Sequence, residues 1–259
     1  MASSSIALTI AGSDPSGGAG LQADLKTFHQ FGVYGEAVVT LITVQNTVLA
    51  SRVEVLAADL VIAQIRAVLD DIPPHAAKLG ALGNQAIIET VASVNFDCPL
   101  VIDPVMISKH GAPLMAKESI AAFRSLLVPK ADLLTPNLEE AAALANCPVE
   151  NPADMRRAAE ILCGLGARSV LVKGGHLKGQ ALDVLLHAGE FLELPAERIA
   201  TPHTHGTGCA YSAAITAGLA KGVPVSEAVQ QAKRFIHEAI RTNPKLGGGS
   251  GPINFLASW

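Results

Sequence analysis

The sequence predicts an α/β fold in which a mostly parallel sheet is covered by helices on both sides. Short apolar segments alternate with amphipathic ones along the whole chain, which is typical of βαβ units. Several of the apolar segments are apolar at consecutive positions, as expected for strands that are buried on both faces. Of the 259 residues, 49% are hydrophobic and 16% are charged, a balance that excludes a disordered or low-complexity chain.

The predicted strands are short apolar runs that end at glycine or at a polar residue. The first run, 6–11, ends at Gly12-Ser13-Asp14. The last run, 183–187, pairs with 191–194 as a small antiparallel hairpin at the edge of the sheet. The complete set comprises residues 6–11, 37–44, 76–79, 100–103, 133–135, 169–173 and 183–187.

The predicted helices are segments with apolar residues at helical spacing. Asn151-Pro152 and Pro224 are typical helix starts, because proline is tolerated in the first turn. The set comprises residues 20–30, 59–69, 85–94, 117–127, 138–144, 153–165, 208–220 and 226–242. No linker rich in proline, glycine or charge divides the chain, so residues 1–259 are predicted to form a single domain.

Composition limits the partners and the location that we expect. Lys and Arg number 19 against 23 Asp and Glu, with no basic run that could follow a phosphate backbone, so we expect no nucleic-acid partner. No apolar run reaches the roughly 18 residues that a membrane span needs, so we expect no membrane partner. The four cysteines lack the close pairs of a zinc site and the density of a secreted scaffold, which favours reduced thiols in the cytoplasm.

Two glycine-rich turns lie between the end of a strand and the start of a helix, where α/β proteins bind anions. They cover residues 11–20 and 204–209. Neither is a Walker A loop, and Tyr211 stands where G-x-G-x-x-G needs its third glycine, so P-loop and Rossmann sites are excluded. The alternative interpretation is that these glycines serve only tight turns and close helix packing.

The second turn is suited to phosphoryl chemistry. Gly206 and Gly208 let backbone N–H groups converge at a helix N-terminus, whose partial positive charge favours a transferred phosphoryl group. A helix N-terminus also lowers the pKa of a thiol, so Cys209 is predicted to be the most acidic of the four cysteines. His203 and His205 flank the turn and are further candidates for the site.

Polar residues also follow other predicted strands, where an open α/β sheet forms its ligand crevice. They are Gln45, Asp103, Asn137 with Glu140, and Lys173. Together they supply carboxylates and an amide for a hydrated Mg²⁺ and a lysine for phosphate. The alternative for Asn137 is that it caps its helix, with Glu140 as the third helical residue.

Six blocks of sequence carry a family resemblance. They are residues 7–28, Gln45-Asn46-Thr47, Asp103-Pro104-Val105-Met106, residues 135–141, Lys173-Gly174-Gly175-His176 and Thr204-His205-Gly206-Thr207-Gly208-Cys209. In this order and over nearly the whole chain, they closely resemble the bacterial hydroxymethylpyrimidine/phosphomethylpyrimidine kinases of thiamine biosynthesis. The first block and the Gly-Thr-Gly-Cys turn are specific, whereas Asn-x-x-Glu occurs across the wider ribokinase-like superfamily.

The resemblance implies a ribokinase-like three-layer α/β/α fold with a mostly parallel central sheet and a small antiparallel edge. It implies that the γ-phosphoryl group of ATP passes to the hydroxymethyl group of 4-amino-5-hydroxymethyl-2-methylpyrimidine and then to the resulting monophosphate, with Mg²⁺, in a homodimer. A pyridoxal kinase built on the same frame is the nearest alternative. A non-catalytic ligand-binding or regulatory protein that retains the fold is another.

The resemblance also assigns residues to the ligands. Around the pyrimidine it places Gln45, Asp24 and Gly12. At the phosphates of ATP it places Lys173, Asn137 and Thr207, and near Mg²⁺, through water, it places Glu140, Asn137 and Asp103. The anion hole is formed by Gly206, Gly208 and Cys209. Sugar-kinase relatives have Asp at the Cys209 position, so a base and a positioning role both stay open. The chain departs from the family at His203, at Ala210 and in 247–252, which lacks an expected histidine.

Overall fold

The computed structural model describes residues 5–109, 111–177, 179 and 181–259. Strands and helices alternate through most of the chain, as the sequence predicts. In chain order the elements are β1 Ile6–Ser13, α1 Gly20–Gln30, β2 Tyr34–Gln45, β3 Ala50–Val55, α2 Ala58–Asp71, β4 Ala76–Leu79, α3 Gln85–Ala92, β5 Leu100–Ile102, α4 Ile120–Leu126, β6 Leu133–Leu134, α5 Leu138–Ala145, α6 Pro152–Gly164, β7 Ser169–Val172, β8 Ala181–His187, β9 Glu190–Ala196, α7 Thr207–Ala220 and α8 Val225–Arg241.

Within the described residues, nine strands form one sheet in the order β3-β2-β1-β4-β5-β6-β7-β8-β9. Six of them, β2, β1 and β4 to β7, are mutually parallel. At the two edges, β3 runs antiparallel to β2, and β8 and β9 form the predicted antiparallel hairpin. The mostly parallel sheet with antiparallel edges is therefore confirmed, whereas the single domain over 1–259 stays a prediction.

Helices cover both faces of the sheet, which confirms the three-layer α/β/α architecture. On one face, α1, α7 and α8 bury Phe28 and Phe235 against the sheet. On the other face, α2 to α6 bury residues such as Ile65, Ile88 and Phe123. From β1 the chain extends the sheet in one direction through β2, and β4 continues on the other side of β1. Such a reversal leaves a crevice at the carboxyl ends of the strands.

Strand alternation decides which polar side chains reach this crevice beside α7. Side chains two positions apart point to the same face of a sheet. Ala76, Val101, Leu133 and Leu171 pack on the face of α7. The residues two positions later are Lys78, Asp103, Thr135 and Lys173, and they share that face at the carboxyl end of the sheet.

The structure corrects the predicted elements at one missed strand, one strand start and one helix, and the other ends shift by at most two residues. The edge strand β3 is absent from the sequence prediction because its residues Ser51, Arg52 and Glu54 are exposed and give it no apolar run. The strand β2 begins at Tyr34 rather than at 37. The predicted helix 117–127 divides into a short 3-10 turn at Lys117–Ser119 and α4. Throughout the described part of the chain, no helix has the length and apolarity needed to cross a membrane.

Candidate active site

A cavity of about 1090 Å³ opens at the carboxyl ends of the parallel strands, in front of the first turn of α7. The residues that the resemblance assigns to ligands, with the exception of Asp24, line this cavity. They are Gly12, Gln45, Asp103, Asn137, Glu140, Lys173, Gly206, Thr207, Gly208 and Cys209. The topological reversal of the sheet thus brings together side chains from both halves of the chain.

The two glycine-rich turns pack directly on each other. Gly206 has a φ of +78°, and a Cβ atom there would overlap the carbonyl oxygen of Gly18. A Cβ atom on Gly18 would in turn meet the ring of His205. The glycines therefore serve close packing, and this packing fixes the position of the second turn against the first.

A buried pair of side chains joins these turns. Nε2 of His205 lies 2.8 Å from Oδ2 of Asp14, which also accepts the backbone N–H of Ala19 at 2.9 Å. Burial works to raise the pKa of Asp14, but hydrogen bonds from His205 and Ser16 outweigh burial and lower it to about 2. Asp14 is therefore an anion at neutral pH and holds the first turn against the second.

Lys173 lies beside the first turn of α7. Its Nζ is 2.7 Å from Oδ1 of Asp103, and a Cβ atom on Gly208 would stand 3.4 Å from the same Nζ. Oδ2 of Asp103 accepts a hydrogen bond from Ser212 of α7 at 3.1 Å. Burial alone would lower the pKa of Lys173, but the carboxylates of Asp103 and Glu140 outweigh burial and raise it. Lys173 therefore stays protonated, and its ammonium lies next to the glycines of the predicted anion hole.

Asn137 and Glu140 form the capping box that the sequence allows. Oδ1 of Asn137 accepts the Glu140 N–H at 2.9 Å, and Oε2 of Glu140 accepts the Asn137 N–H at 2.8 Å. The capping interpretation is confirmed, yet both side chains also line the cavity. Burial, with the charge of Asp103, raises the pKa of Glu140 to about 7 against the opposing charge of Lys173.

The carboxylates suit a magnesium ion that keeps its water rather than a directly chelated one. Among the residues that the structure describes, no group of three or more His, Cys, Asp or Glu side chains is placed to hold a metal. Mg²⁺ typically takes one or two carboxylates together with substrate phosphates and several waters. Asp103 and Glu140 fit that donor set through water.

Gln45 ends β2 and carries an unsatisfied acceptor at the cavity. Within the described structure, its Oε1 is buried and has no hydrogen-bond partner. A buried acceptor without a donor costs about 1–3 kcal/mol. A ligand that presents an N–H group to Gln45 would recover that free energy.

Two sequence expectations change in the structure. Asp24 does not reach the cavity wall, because its side chain is fully buried beneath it and pairs with Lys78. The expected acidity of Cys209 is wrong: burial raises the pKa of its thiol to about 11, although Lys78 and the Gly20 N–H act to lower it. Desolvation at this position exceeds the effect of the helix N-terminus.

Three charged residues that support the site are not predicted from the sequence. Lys78 is the one polar residue of the buried strand β4, and that isolated charge is a signal that could have been used. Asp183 accepts the Gly174 N–H at 2.9 Å and pairs with Lys233 at 2.6 Å. This pair fixes the turn that follows Lys173, and no spacing in the sequence reveals it.

The family departures at His203 and in 247–252 meet in space. Nδ1 of His203 accepts the Gly251 N–H at 3.2 Å, and the Ser250 N–H donates to the Thr47 carbonyl at 2.8 Å. The glycine-rich C-terminal segment therefore crosses the turn after Gln45 and ends beside the second glycine-rich turn. The backbone N–H of His205 donates to the Gly251 carbonyl of the same segment, and the side chain of His205 is buried.

This fold, with a lysine and a helix N-terminus facing a cavity at the reversal of the sheet, defines a small-molecule kinase of the ribokinase-like class. Comparison with known proteins agrees. The chain matches the family described as Phosphomethylpyrimidine kinase over residues 14–254, and it belongs to that family.

Relatives match along almost their whole length. The hydroxymethylpyrimidine/phosphomethylpyrimidine kinase of Rhizobium meliloti is 46% identical over 260 residues, with 98% of each chain covered. The ADP complex of Bacillus subtilis pyridoxal kinase has a TM-score of 0.90 at 41% identity, with 98% of each chain covered. The phosphomethylpyrimidine kinase of Clostridium difficile has a TM-score of 0.81 at 42% identity, covering 91% of this chain and 99% of that one.

Proposed function

We propose that this protein phosphorylates 4-amino-5-hydroxymethyl-2-methylpyrimidine with ATP and then phosphorylates the resulting monophosphate, in thiamine biosynthesis. The observation that carries the proposal is the position of Lys173 against Gly208, at the N-terminus of α7, in a cavity that is also lined by Gln45 with its unsatisfied Oε1. Lys173 and the N-terminus of α7 are suited to a transferred phosphate, and Oε1 of Gln45 is suited to the amino group of the pyrimidine. The names of the relatives support the same substrates.

The chemical step asks for positioning and charge. The substrate hydroxyl oxygen attacks the γ-phosphorus, the bond from that phosphorus to the bridging oxygen breaks, and ADP leaves. The backbone N–H groups of Gly206, Gly208 and Cys209 and the ammonium of Lys173 stabilise the negative charge on the transferred group. The hydroxyl proton goes to Sγ of Cys209 if the thiol is ionised, or to solvent if Cys209 only positions the substrate.

We propose Mg²⁺ as the cofactor, held by the ATP phosphates and, through water, by Glu140, Asn137 and Asp103. The chemistry that Mg²⁺ would supply there is neutralisation of the negative charge on the phosphates. Thr207 is the first residue of α7 and lines the cavity, and its hydroxyl donates to the Thr204 carbonyl at 2.8 Å, so it would have to release that bond to donate to a phosphate oxygen. Apolar residues of α8 and of the segment after β9 also line the cavity and offer a surface for adenine; these are Ile199, Ile236 and Ile240.

The nearest alternative is pyridoxal kinase activity, because a protein with this name is among the similar structures. The test is ATP consumption by the purified protein with the hydroxymethylpyrimidine, its monophosphate, pyridoxal or no acceptor. We expect kcat/KM to be highest for the two pyrimidines. A higher value for pyridoxal would favour the alternative, and no acceptor-dependent turnover would favour a binding protein. A Lys173→Ala variant controls for contaminating kinases.

We also propose a cytoplasmic homodimer. The four cysteines form no disulfide in the described structure, as expected in a reducing compartment. The β2–β3 edge exposes Ile42, Val44, Val48 and Leu49, each more than 45% accessible, which is an apolar surface suited to a second copy. Sedimentation should give a dimer mass, and Val48→Asp should shift it toward the monomer. A monomeric parent protein would overturn the assignment.

A further inference from the structure

We propose that the buried pair Lys78–Asp24 sets the proton affinity of the Cys209 thiol, with Lys78 favouring the thiolate and Asp24 opposing it. The inference rests on the proposed place of Cys209 at the transfer point. It assigns a role to two charged groups that do not act on substrate directly: both are positioning residues that work through Cys209.

The pair is enclosed by three elements of the fold. Nζ of Lys78 in β4 lies 2.5 Å from Oδ1 of Asp24 in α1, and the side chains are 1% and 0% exposed. Oδ2 of Asp24 accepts the hydroxyl of Thr9 in β1 at 2.6 Å. Replacing such a buried pair by apolar residues is often neutral or stabilising. Stability alone therefore does not account for two charges at this position.

Lys78 extends from this pair to the first turn of α7. Its Nζ lies 3.4 Å from the backbone oxygen of Cys209, so the ammonium is held next to the residue that carries the thiol. The thiol also faces Gly20, the first residue of α1. The N-terminal ends of two helices and one ammonium therefore meet at Cys209, and all three favour a negative sulfur.

The other charges around Cys209 come from the neighbouring strands. Asp103, which follows β5, and Lys173, which follows β7, both interact electrostatically with the thiol. They also form an ion pair with each other at 2.7 Å. Burial raises the pKa of the Cys209 thiol, Lys78 lowers it, and Asp24 raises it. The two members of the buried pair thus act on the same sulfur in opposite directions, and this makes the inference testable.

The experiment measures the rate at which iodoacetamide alkylates Cys209 at about pH 8, followed by peptide mass spectrometry. The full-length protein is compared with Asp24→Asn, Lys78→Met and the double variant. Below its pKa a thiol reacts in proportion to its small thiolate fraction, so the rate reports the pKa. Cys147, which is remote from the pair on the opposite face of the sheet, is the internal control in every sample.

We expect Asp24→Asn to react faster than the parent and Lys78→Met to react about 10- to 1000-fold more slowly, as a charge within a few ångströms shifts a pKa by about 1–3 units. The double variant should lie between Lys78→Met and the parent. Any other order overturns the proposal. If Lys78→Met does not fold, the comparison of Asp24→Asn with the double variant still isolates the ammonium, since both lack the carboxylate.

The result is independent of whether Cys209 is the base. The alkylation rates could follow the expected order while the pH profile of kcat stays the same in all variants. That outcome would support the role of Lys78 and reject the base role of Cys209. Equal alkylation rates in Asp24→Asn and the double variant would reject the role of Lys78 and leave the kinase assignment untouched.

Discussion

His205 and Asp14, 191 positions apart in the sequence, form a buried hydrogen bond of 2.8 Å between Nε2 and Oδ2. An ionised carboxylate can only accept hydrogen bonds, so Nε2 of His205 is the donor. The bond joins the two glycine-rich turns at the point where Gly206 and Gly18 have no room for a side chain. The turn that forms the anion hole is therefore held in place by a remote segment, and its geometry depends on this pair.

The first prediction concerns the stability of this contact at low pH. The pKa of Asp14 is about 2 in the folded protein against 3.8 in an unfolded chain. Because the pKa of Asp14 is lower in the folded protein, its ionised carboxylate stabilises the fold at pH values above the pKa of the unfolded chain. This stabilisation is lost as the pH falls from about 4 toward 2. The ionised carboxylate of Asp14 contributes about 1–2 kcal/mol to the free energy of unfolding, because the pair borders an open cavity in which water screens the interaction.

Urea unfolding at several values between about pH 5 and pH 3 measures this effect. The parent protein should lose more free energy of unfolding over that range than Asp14→Asn. The exposed Asp70 provides the control, because Asp70→Asn should follow the parent curve. Parallel curves for parent and Asp14→Asn would contradict the prediction.

The second prediction concerns Gln45. Gln45→Ala should raise the KM for the aminopyrimidine by about 5- to 150-fold, equivalent to about 1–3 kcal/mol, because ring polar atoms lose their partner. The value of kcat should change little, since Gln45 is not part of the phosphoryl site. Steady-state kinetics measure this KM, with Gln85→Ala, at an exposed position, as the control. An unchanged KM in Gln45→Ala would show that Gln45 is not part of the site.

The third prediction separates the capping role of Glu140 from a role at the metal. In Glu140→Gln the side-chain carbonyl can still accept the Asn137 N–H, so the cap is retained while the charge is lost. The Mg²⁺ concentration for half-maximal rate should rise roughly 10- to 100-fold, as for other residues that act on a metal through water. The exposed Glu160→Gln is the control, and a parental Mg²⁺ titration would leave only the cap.

Much of this architecture follows from local sequence. Apolar runs such as 6–11 and 169–173 identify buried strands because both faces of a parallel sheet are covered, and the polar residues that follow them mark the crevice. The capping box at Asn137 and Glu140 could be read directly from their spacing. The exposed edge strand β3 could not, because its alternating polar residues resemble a loop.

The charges beneath the site depend on packing that no local pattern contains. The ion pair of Lys78 with Asp24 joins residues 54 positions apart, and it forms only when the helix α1 packs on the face of the sheet to which Lys78 of β4 points. The pKa of Cys209 was predicted with the wrong sign for the same reason. A helix N-terminus is visible in the sequence, whereas the burial that outweighs it appears only in the folded chain.

The last prediction concerns Cys209 and uses the two proposed reactions as each other's control. The first acceptor is an alcohol, which must lose a proton as it attacks. The second acceptor is a phosphate monoester, whose second pKa is about 6, so its oxygen is already ionised at neutral pH and needs no base. If Cys209 accepts the hydroxyl proton, Cys209→Ser should slow the first reaction by about 10²- to 10⁴-fold and leave the second near the parental rate.

Single-turnover rates measured separately with the hydroxymethylpyrimidine and with its monophosphate give this comparison. Cys209→Asp should restore part of the first rate, since a carboxylate can take the same proton. The half-buried Cys163 on α6 provides the matched control, because Cys163→Ser should change neither rate. Equal losses in both reactions would show that Cys209 positions the phosphoryl group. Parental rates in both would leave Lys173 and the backbone N–H groups of Gly206, Gly208 and Cys209 as the source of catalysis.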